Sequence, residues 1–321
     1  MQGYACYASR FLRSIINVVY NTVMEIANQF LVRQAGPGDA RDITRLLQKA
    51  RFSHVHADWH PPVDWLGQPG FVVAEEGPAG FLPPYLAACL AITADPLPAA
   101  WVRVAAVHNN PGGDELLLSM LAPIIRHLQQ QAVQEIGWLL PAGWPENWLV
   151  AMQFSRQNSI ETYFKSDLSL PRGGLNPAVQ VRPVQPADFP ALVAIEAAAF
   201  APLWRHSHSG LELGWRQSLC FHVAELAGRL VGFEYSVHSQ AERAAHLVRI
   251  TVDPAVQGLG VGSALLTAAL EAYRRQGLRH VSLNTQVDNL SSQQLYAKFG
   301  FHPAGYRVPV WVRALQTADL A

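Results

Sequence analysis

Six consecutive residues in the last third of the chain, Gln257-Gly258-Leu259-Gly260-Val261-Gly262, have the makings of an anion site. The strand-like run Leu247 to Val252 ends in Asp253-Pro254, the glycines follow, and a helical pattern begins directly after them. The start of a helix leaves backbone N–H groups without intrahelical partners, and the helix dipole adds partial positive charge there. Glycines remove the Cβ atoms that would hold an anion away from the main chain. In physical terms the stretch is a cradle for a diphosphate.

Three readings of such a cradle compete. A P-loop needs Gly-Lys-Ser/Thr at the helix start, and the chain has Gly262-Ser263-Ala264, without the lysine. A dinucleotide fingerprint needs G-x-G-x-x-G and a carboxylate about 20 residues on, at the end of the next strand. Here Ser263 stands for the third glycine and that strand ends Leu283-Asn284-Thr285. The third reading, the Q/R-x-x-G-x-G/A loop that grips the pyrophosphate of coenzyme A, is matched in full by Gln257, Gly260 and Gly262.

Further residues sharpen the pattern: Asn289 follows the next strand, and Tyr296 precedes Phe299-Gly300-Phe301. With these, the region from about Val179 to Leu315 resembles the GCN5-related N-acetyltransferase family. The resemblance implies acyl transfer from acetyl-CoA to a primary amine in a ternary complex, without a covalent acyl-enzyme. Carried over, it places the pyrophosphate on the N–H groups of Gln257, Gly258, Leu259, Gly260, Val261 and Gly262, with Ser263 adjacent. The strand bearing Ile250 and Val252 is implied to part from its neighbour at a bulge, so that the Val252 N–H polarises the thioester carbonyl. A donor of this kind can lower a barrier by roughly 3 kcal/mol. Asn289, helped by Ser292, is implied to hold the pantetheine or phosphate arm, and Tyr296 to protonate the departing thiolate.

The base that deprotonates the amine is less specified, and Glu234 and His246, both on central strands, are the candidates. His246 has a suitable intrinsic pKa and by alternation shares a strand face with Val248 and Ile250. The acceptor is expected against the segment between the first two helices of this region, through Trp204, Arg205 and Trp215, which could clamp an apolar or acidic flank. Tryptophans that fill a domain junction are the competing reading. No metal is expected. His54-x-His56-x-Asp58-x-His60 offers alternate donors on one face but reads better as a histidine-lined surface, and His206-x-His208 and Cys220-x-His222 are weaker still.

The elements that must position these groups come in two sets. Val32-Arg33-Gln34-Ala35-Gly36-Pro37-Gly38-Asp39 and Val181-Arg182-Pro183-Val184-Gln185-Pro186-Ala187-Asp188 repeat Arg, Pro and Asp at the same offsets, about 149 residues apart. Each reads as a short strand, a proline turn and an Asp that caps a helix. Such self-similarity points to tandem duplication. The fold class expected is α+β: two tandem acyl-CoA N-acyltransferase-like domains, each a mixed, mostly antiparallel sheet flanked by helices. The boundaries read from sequence are an extension over 1–30, a degenerate domain over 31–170, a linker over 171–178 and a catalytic domain over 179–321. In the first copy the glycine loop is replaced by His108-Asn109-Asn110-Pro111-Gly112-Gly113-Asp114-Glu115, whose acids would repel a diphosphate. Phe154, on an expected helix over 148–156, stands about where Tyr296 falls in the second copy.

With 321 residues, half of them hydrophobic, the chain can bury full cores, which excludes disorder as its main state. Lys+Arg 24 against Asp+Glu 24 leaves no basic excess to track nucleic acid. Three dispersed cysteines fit a reducing, cytoplasmic setting. Residues 1–30 imitate a signal peptide at Arg10 to Tyr20 but are too short and polar to span a bilayer, and Met24 is an equally good start. The partners expected are an amine, either a small molecule or a peptide or protein amine, with no nucleic acid and no membrane, on a monomer or weak dimer. A non-catalytic acyl-CoA sensor is the alternative reading.

Overall fold

The computed structural model describes residues 30–57, 59–76, 85–108, 112–140, 143–239, 241 and 243–315. Residues 1–29 of the expected amino-terminal extension, Asp58 and Asn109-Asn110-Pro111 lie outside them, while Phe30, placed in that extension from sequence, is the first residue of a strand. No described helix is long and apolar enough to cross a membrane. The chain forms two compact units that interleave in sequence. One holds Met1–Ala94, Ala100–Ser155 and Val312–Ala321, the other Asp95–Ala99 and Arg156–Trp311.

The first unit contains β1 (Phe30–Gln34), α1 (Ala40–Lys49), β2 (Phe52–Val55), β3 (Phe71–Glu76), β4 (Tyr85–Thr93), β5 (Ala99–Val107), α2 (Gly113–Gln130), β6 (Glu135–Leu139) and α3 (Glu146–Ala151). Its strands lie in the order β1-β3-β4-β5-β6, with β2 paired separately to β5. The second contains β7 (Ser155–Lys165), β8 (Val179–Pro183), α4 (Phe189–Ala199), α5 (His208–Gln217), β9 (Cys220–Leu226), β10 (Arg229–His238), β11 (Ala244–Val252), α6 (Val261–Arg275), β12 (His280–Gln286), α7 (Leu290–Lys298) and β13 (His302–Ala314). Here the order is β13-β7-β12-β11-β10-β9-β8. The β11–β12 pair is parallel, as a strand–helix–strand crossover requires, and its neighbours are antiparallel. The mixed, mostly antiparallel sheet with flanking helices is the α+β class the sequence implied.

The core of the second unit forms because α6 is apolar along one side: Leu266, Ala269, Leu270 and Tyr273 are buried against Leu247, Val281 and Leu283 of the central strands. That stripe is the one the sequence periodicity displays. The helix expected over 148–156 is shorter, because Gln153 takes a left-handed conformation at φ 62° and the chain is already extended at Ser155. Phe154 is therefore a buried residue after the helix. The strand that follows, β7, alternates Ser159, Glu161, Tyr163 and Lys165 inward. Its buried face is largely polar, so a search for alternating apolar residues passes over it. Pairing of β7 with β12 is why the second unit begins at Arg156 and not at a linker over 171–178.

The repeated Arg/Asp pattern has a definite structural meaning. Arg33 donates to both oxygens of Asp39 at 2.8 and 2.7 Å, and Arg182 to both oxygens of Asp188 at 2.7 and 2.9 Å. Each aspartate also accepts an N–H from the preceding turn, Gly36 at 2.7 Å and Gln185 at 2.8 Å. Each arginine also meets a glutamate of the sheet, Glu75 in one unit and Glu225 in the other. The aspartates thus hold a strand to a turn and close the capping box of the 3-10 turn before α1 and α4, without capping those α-helices themselves.

The Arg182 hydrogen bonds bring the Asp188 carboxyl below its usual value, against the opposing effect of burial. A carboxylate lowered in the folded state contributes stability above its unfolded pKa of about 4, and loses it as pH falls through the folded value. Asp188→Asn is expected to lower unfolding free energy by roughly 1–3 kcal/mol near neutral pH. Urea titration should show that difference shrinking in acid, and a difference that is constant with pH would refute the ion-pair account.

Candidate active site at the parted strands

Strands β11 and β12 run together only from Ala244↔His280 to Leu247↔Leu283, yet β11 continues to Val252 and β12 to Gln286. The parting begins where the register against β10 shifts: Ser236 faces Leu247 and Tyr235 faces Arg249, so Val248 is the extra residue of a bulge. Beyond it, the Asp253 N–H donates to Val231 O at 2.8 Å. Antiparallel strands alternate bonded and outward residues, so Thr251 turns its backbone groups to β10 while Ile250 and Val252 aim theirs into the gap. This is the arrangement expected of Ile250 and Val252 from sequence.

The gap opens into a cleft of about 450 Å³ lined by Ile250, Thr251, Val252, the glycine turn, and residues of α7. Gln257, Gly258, Gly260, Val261, Gly262, Ser263, Asn289 and Ser292, all expected cofactor contacts, line it together. Leu259 belongs to the same turn but is not among the lining residues. Gly258 and Gly260 have φ of 81° and 84°, the left-handed region that favours glycine. The first intrahelical bond of α6 is Ala264 N–H to Gly260 O at 3.0 Å, so the N–H groups of Val261, Gly262 and Ser263 precede it. No acid stands in this first turn, and the Lys298 Nζ lies 3.4 Å from Ser263 Oγ. The cleft end is therefore positive and built of main chain. Asn176 braces the turn, donating to Leu259 O at 2.9 Å while its Cβ lies 3.4 Å from where a Cβ on Gly260 would stand.

Sequence reasoning passed over Lys298 and Asn176. Lys298, two residues after Tyr296, carries no spacing signal of its own, and Asn176 sits in the loop read as a linker. Asn289 caps α7 by accepting the Ser292 N–H at 3.2 Å. One turn along, Tyr296 is buried beside Tyr163 and Phe301 and, like Leu259, is not among the residues that line the cleft. Burial pushes its phenol up to about 12, with the Ser292 hydroxyl and the Arg249 charge acting the other way. At neutral pH it is a protonated donor.

On the face of β11 away from α6, Arg249 binds Glu196 of α4 at 2.9 and 2.5 Å and lies 3.8 Å over the Phe200 ring. Glu196 also accepts from Thr251 Oγ1 at 2.8 Å and from the His206 N–H at 3.1 Å. Burial raises its carboxyl, but Arg249 more than offsets this and the result lies below the usual range. A carboxylate so satisfied is a poor base and a firm brace for the cleft wall.

The two candidate bases lie elsewhere. Glu234 is fully buried on the α6 side, bonded to His222 Nδ1 at 2.5 Å and Ser236 Oγ at 3.1 Å. His246 Nδ1 meets Ser282 Oγ at 2.9 Å where β11 and β12 are still paired, and burial lowers its imidazole. Neither lines the cleft. Of the expected acceptor contacts, Arg205 donates to Phe200 O at 2.8 Å and Ala197 O at 3.0 Å, closing the end of α4. Trp215 packs on Phe189, and the Trp204 carbonyl accepts from Arg249.

The first unit repeats this architecture and fills it. Strand β5 has the same bulge, at Arg103, since Ala91 faces Val104 and Ile92 faces Val102. Gly112 has the same left-handed φ, 78°, at the start of α2. Beyond the bulge, however, Val104–Val107 pair with Val55–Phe52 of β2, which occupies the place left open beside β11. Trp148 presses on Gly113, its ring within 2.5 Å of where a Cβ would stand, and lies 4.9 Å from the Phe52 ring. Asp114 and Glu115 add negative charge to the first turn. Trp138 and Trp144 are buried in the same aromatic cluster, Trp144 donating to Ser53 O at 3.1 Å. His54 bonds Val102 O at 3.1 Å and burial lowers it to about 4, which keeps it neutral.

Residues 189–301, all within the second unit, match the model of the Acetyltransferase (GNAT) family. A mycothiol acetyltransferase of Thermobispora bispora is 35% identical over 145 residues, 41% of this chain and 49% of that protein. One of Streptomyces coelicolor is 32% identical over 42% of this chain and 46% of its own. The matched stretch spans about half the length of these relatives. Two solved structures share the fold over most of the chain. A GCN5-related N-acetyltransferase of Sphaerobacter thermophilus has a TM-score of 0.59 at 18% identity, covering 89% of this chain and 96% of that one. A tandem GNAT protein from the clavulanic acid biosynthesis pathway has 0.56 at 17%, covering 91% and 100%.

Calorimetric titration of the full chain is expected to give one acetyl-CoA per chain. Opening the first unit by Trp148→Ala should leave that stoichiometry unchanged, because β2 still holds the β5 edge. Two sites in the unaltered chain would refute the filled-slot reading.

Proposed function

We propose that the chain is an N-acetyltransferase that moves an acetyl group from acetyl-CoA to a primary amine by direct attack in a ternary complex. The observation that carries the reading is the coincidence, in one cleft, of the parted β11 edge and the glycine turn at the α6 amino terminus. The turn takes the pyrophosphate on main-chain N–H groups, with Lys298 adding charge. The pantetheine arm lies along the β11 edge, where its amides replace the missing strand. At the inner end the Val252 N–H faces the thioester carbonyl and stabilises the charge that develops on its oxygen as the amine attacks.

The attacking nitrogen gives its proton to solvent water. As the tetrahedral species collapses the carbon–sulfur bond breaks, the thiolate takes a proton from Tyr296, and the phenolate is reprotonated from solvent. A phenol raised to about 12 stays protonated across the working range, so it contributes no alkaline fall in rate below about pH 11. The engaged state of Glu196 and the burial of Glu234 leave neither as the base in this proposal. Holding both reactants in line supplies much of the acceleration. The naming of the relatives as mycothiol acetyltransferases favours a small-molecule amine over a protein one.

The test is coenzyme A release over a panel of small amines and peptides, with Tyr296→Phe alongside. The variant should bind acetyl-CoA as before and lose about 10²- to 10³-fold in kcat. Unchanged turnover in the variant would remove Tyr296 as the acid. Absence of coenzyme A release with every amine, despite tight acetyl-CoA binding, would replace the enzyme by a sensor.

A further inference from the structure

Below the carboxyl-terminal half of α6, away from the cleft, three metal-binding side chains converge. Cys220 and His222 are two apart on β9, so strand alternation turns both to one face. Glu234 lies directly across from His222 on β10, and Ser236 across from Cys220. The Glu234 Oε1 is 2.5 Å from His222 Nδ1 and 3.7 Å from Cys220 Sγ. Taken together, the sulfur, nitrogen and oxygen donors all lie within 4.8 Å of one another, the only such group among the described residues. Glu234 is wholly buried, whereas the His222 side chain keeps 13% exposure, which leaves a way in from solvent.

We propose that Cys220, His222 and Glu234 hold one divalent cation of the zinc class, with a water completing four-coordination. The donor set selects the ion. Magnesium and calcium take oxygen ligands, whereas a thiolate, an imidazole and a carboxylate together suit zinc and its cobalt substitute. Metal–sulfur bonds near 2.3 Å and metal–nitrogen or –oxygen bonds near 2.0 Å fit a tetrahedron that these side chains reach by shifts on the order of 1 Å. Supporting groups are in place. Ser236 Oγ donates to Glu234 Oε2 at 3.1 Å and also bonds the Tyr273 hydroxyl of α6, which orients the carboxylate. Burial and the neighbouring Glu234 raise the Cys220 thiol, with Ser236 and Arg275 acting the other way, so the thiolate is formed by the ion itself.

Binding releases the Cys220 thiol proton to solvent, so affinity rises with pH. The ion answers a cost the fold otherwise carries: burial raises the Glu234 carboxyl, opposed only by neighbouring hydrogen bonds and His222. A bound cation joins β9 to β10 under the helix whose other end forms the cofactor turn. The site is independent of the acetyl-transfer reading.

The experiment uses the full chain, free of tag and stripped with chelator, titrated with Co²⁺ and read by absorption. One equivalent should bring up the visible bands of four-coordinate cobalt and a near-ultraviolet thiolate-to-cobalt band, both removed by Zn²⁺. Cys220→Ser should lose the thiolate band and bind more than about tenfold more weakly. Circular dichroism establishes that the variant is folded. Should it not be, His222→Gln carries the test with the same weakening. Failure of the parent chain to take up stoichiometric cobalt overturns the proposal, and so does a titration that neither substitution in folded protein alters.

Discussion

One extra residue in one strand governs the rest of the second unit. By inserting Val248, β11 changes its register against β10 and turns away from β12 after Leu247. The consequence is an edge inside a sheet, with the main-chain groups of Ile250 and Val252 turned outward, in a place where sheets normally have none. Interior edges are costly because backbone polar groups left without partners lose hydrogen-bond energy. A ligand that offers amides and a carbonyl in extended form is the natural complement. The glycine turn stands at the mouth of the same opening, so in the proposed function recognition of the phosphates and alignment of the thioester would both follow from a single piece of backbone geometry.

The first unit shows the same geometry filled by the chain itself. It keeps the bulge, at Arg103, and the left-handed glycine at the helix start, Gly112. The exposed edge is satisfied by the chain itself through β2, and the cradle is covered by Trp148. Both outcomes obey the same accounting of backbone hydrogen bonds. A duplicated fold has thus resolved one local constraint twice, once with a side-by-side strand and once with a cleft. The firmness of the cleft wall in the second unit comes from Glu196 and Arg249, which neutralise one another and tie α4 to the freed part of β11.

Much of this was readable from residue types. The glycine turn, the flanking strand and helix and the Arg/Asp repeat show in the sequence because each depends on local rules of turn and period, whereas Asn289 and Ser292 came only with the family resemblance. The Arg/Asp repeat was visible as a pattern, but its role was not: Arg33 and Arg182 reach aspartates six residues on, and no helix-capping rule describes that bond. Strand β7 escaped notice because its buried positions are Ser, Glu, Tyr and Lys. Strand β2 is only four residues long, and its His54, read from sequence as part of a histidine-lined surface, is buried and bonded to Val102 O. The Cys220–His222 pair looked weak for a metal for a related reason: its third donor, Glu234, stands on another strand, and only cross-strand register reveals it. Glu234 and His246 were nominated by their place on central strands, which fixes a residue's depth in the sheet but not which side of it faces the opening.

Amide hydrogen exchange with and without saturating acetyl-CoA interrogates the parted edge itself. The account requires slowed exchange at Ile250, Val252 and the turn from Gly258 to Ser263, with Val104–Val107 of the first unit unaffected. Slowing that spares Ile250 and Val252, or that falls equally on both units, would contradict it.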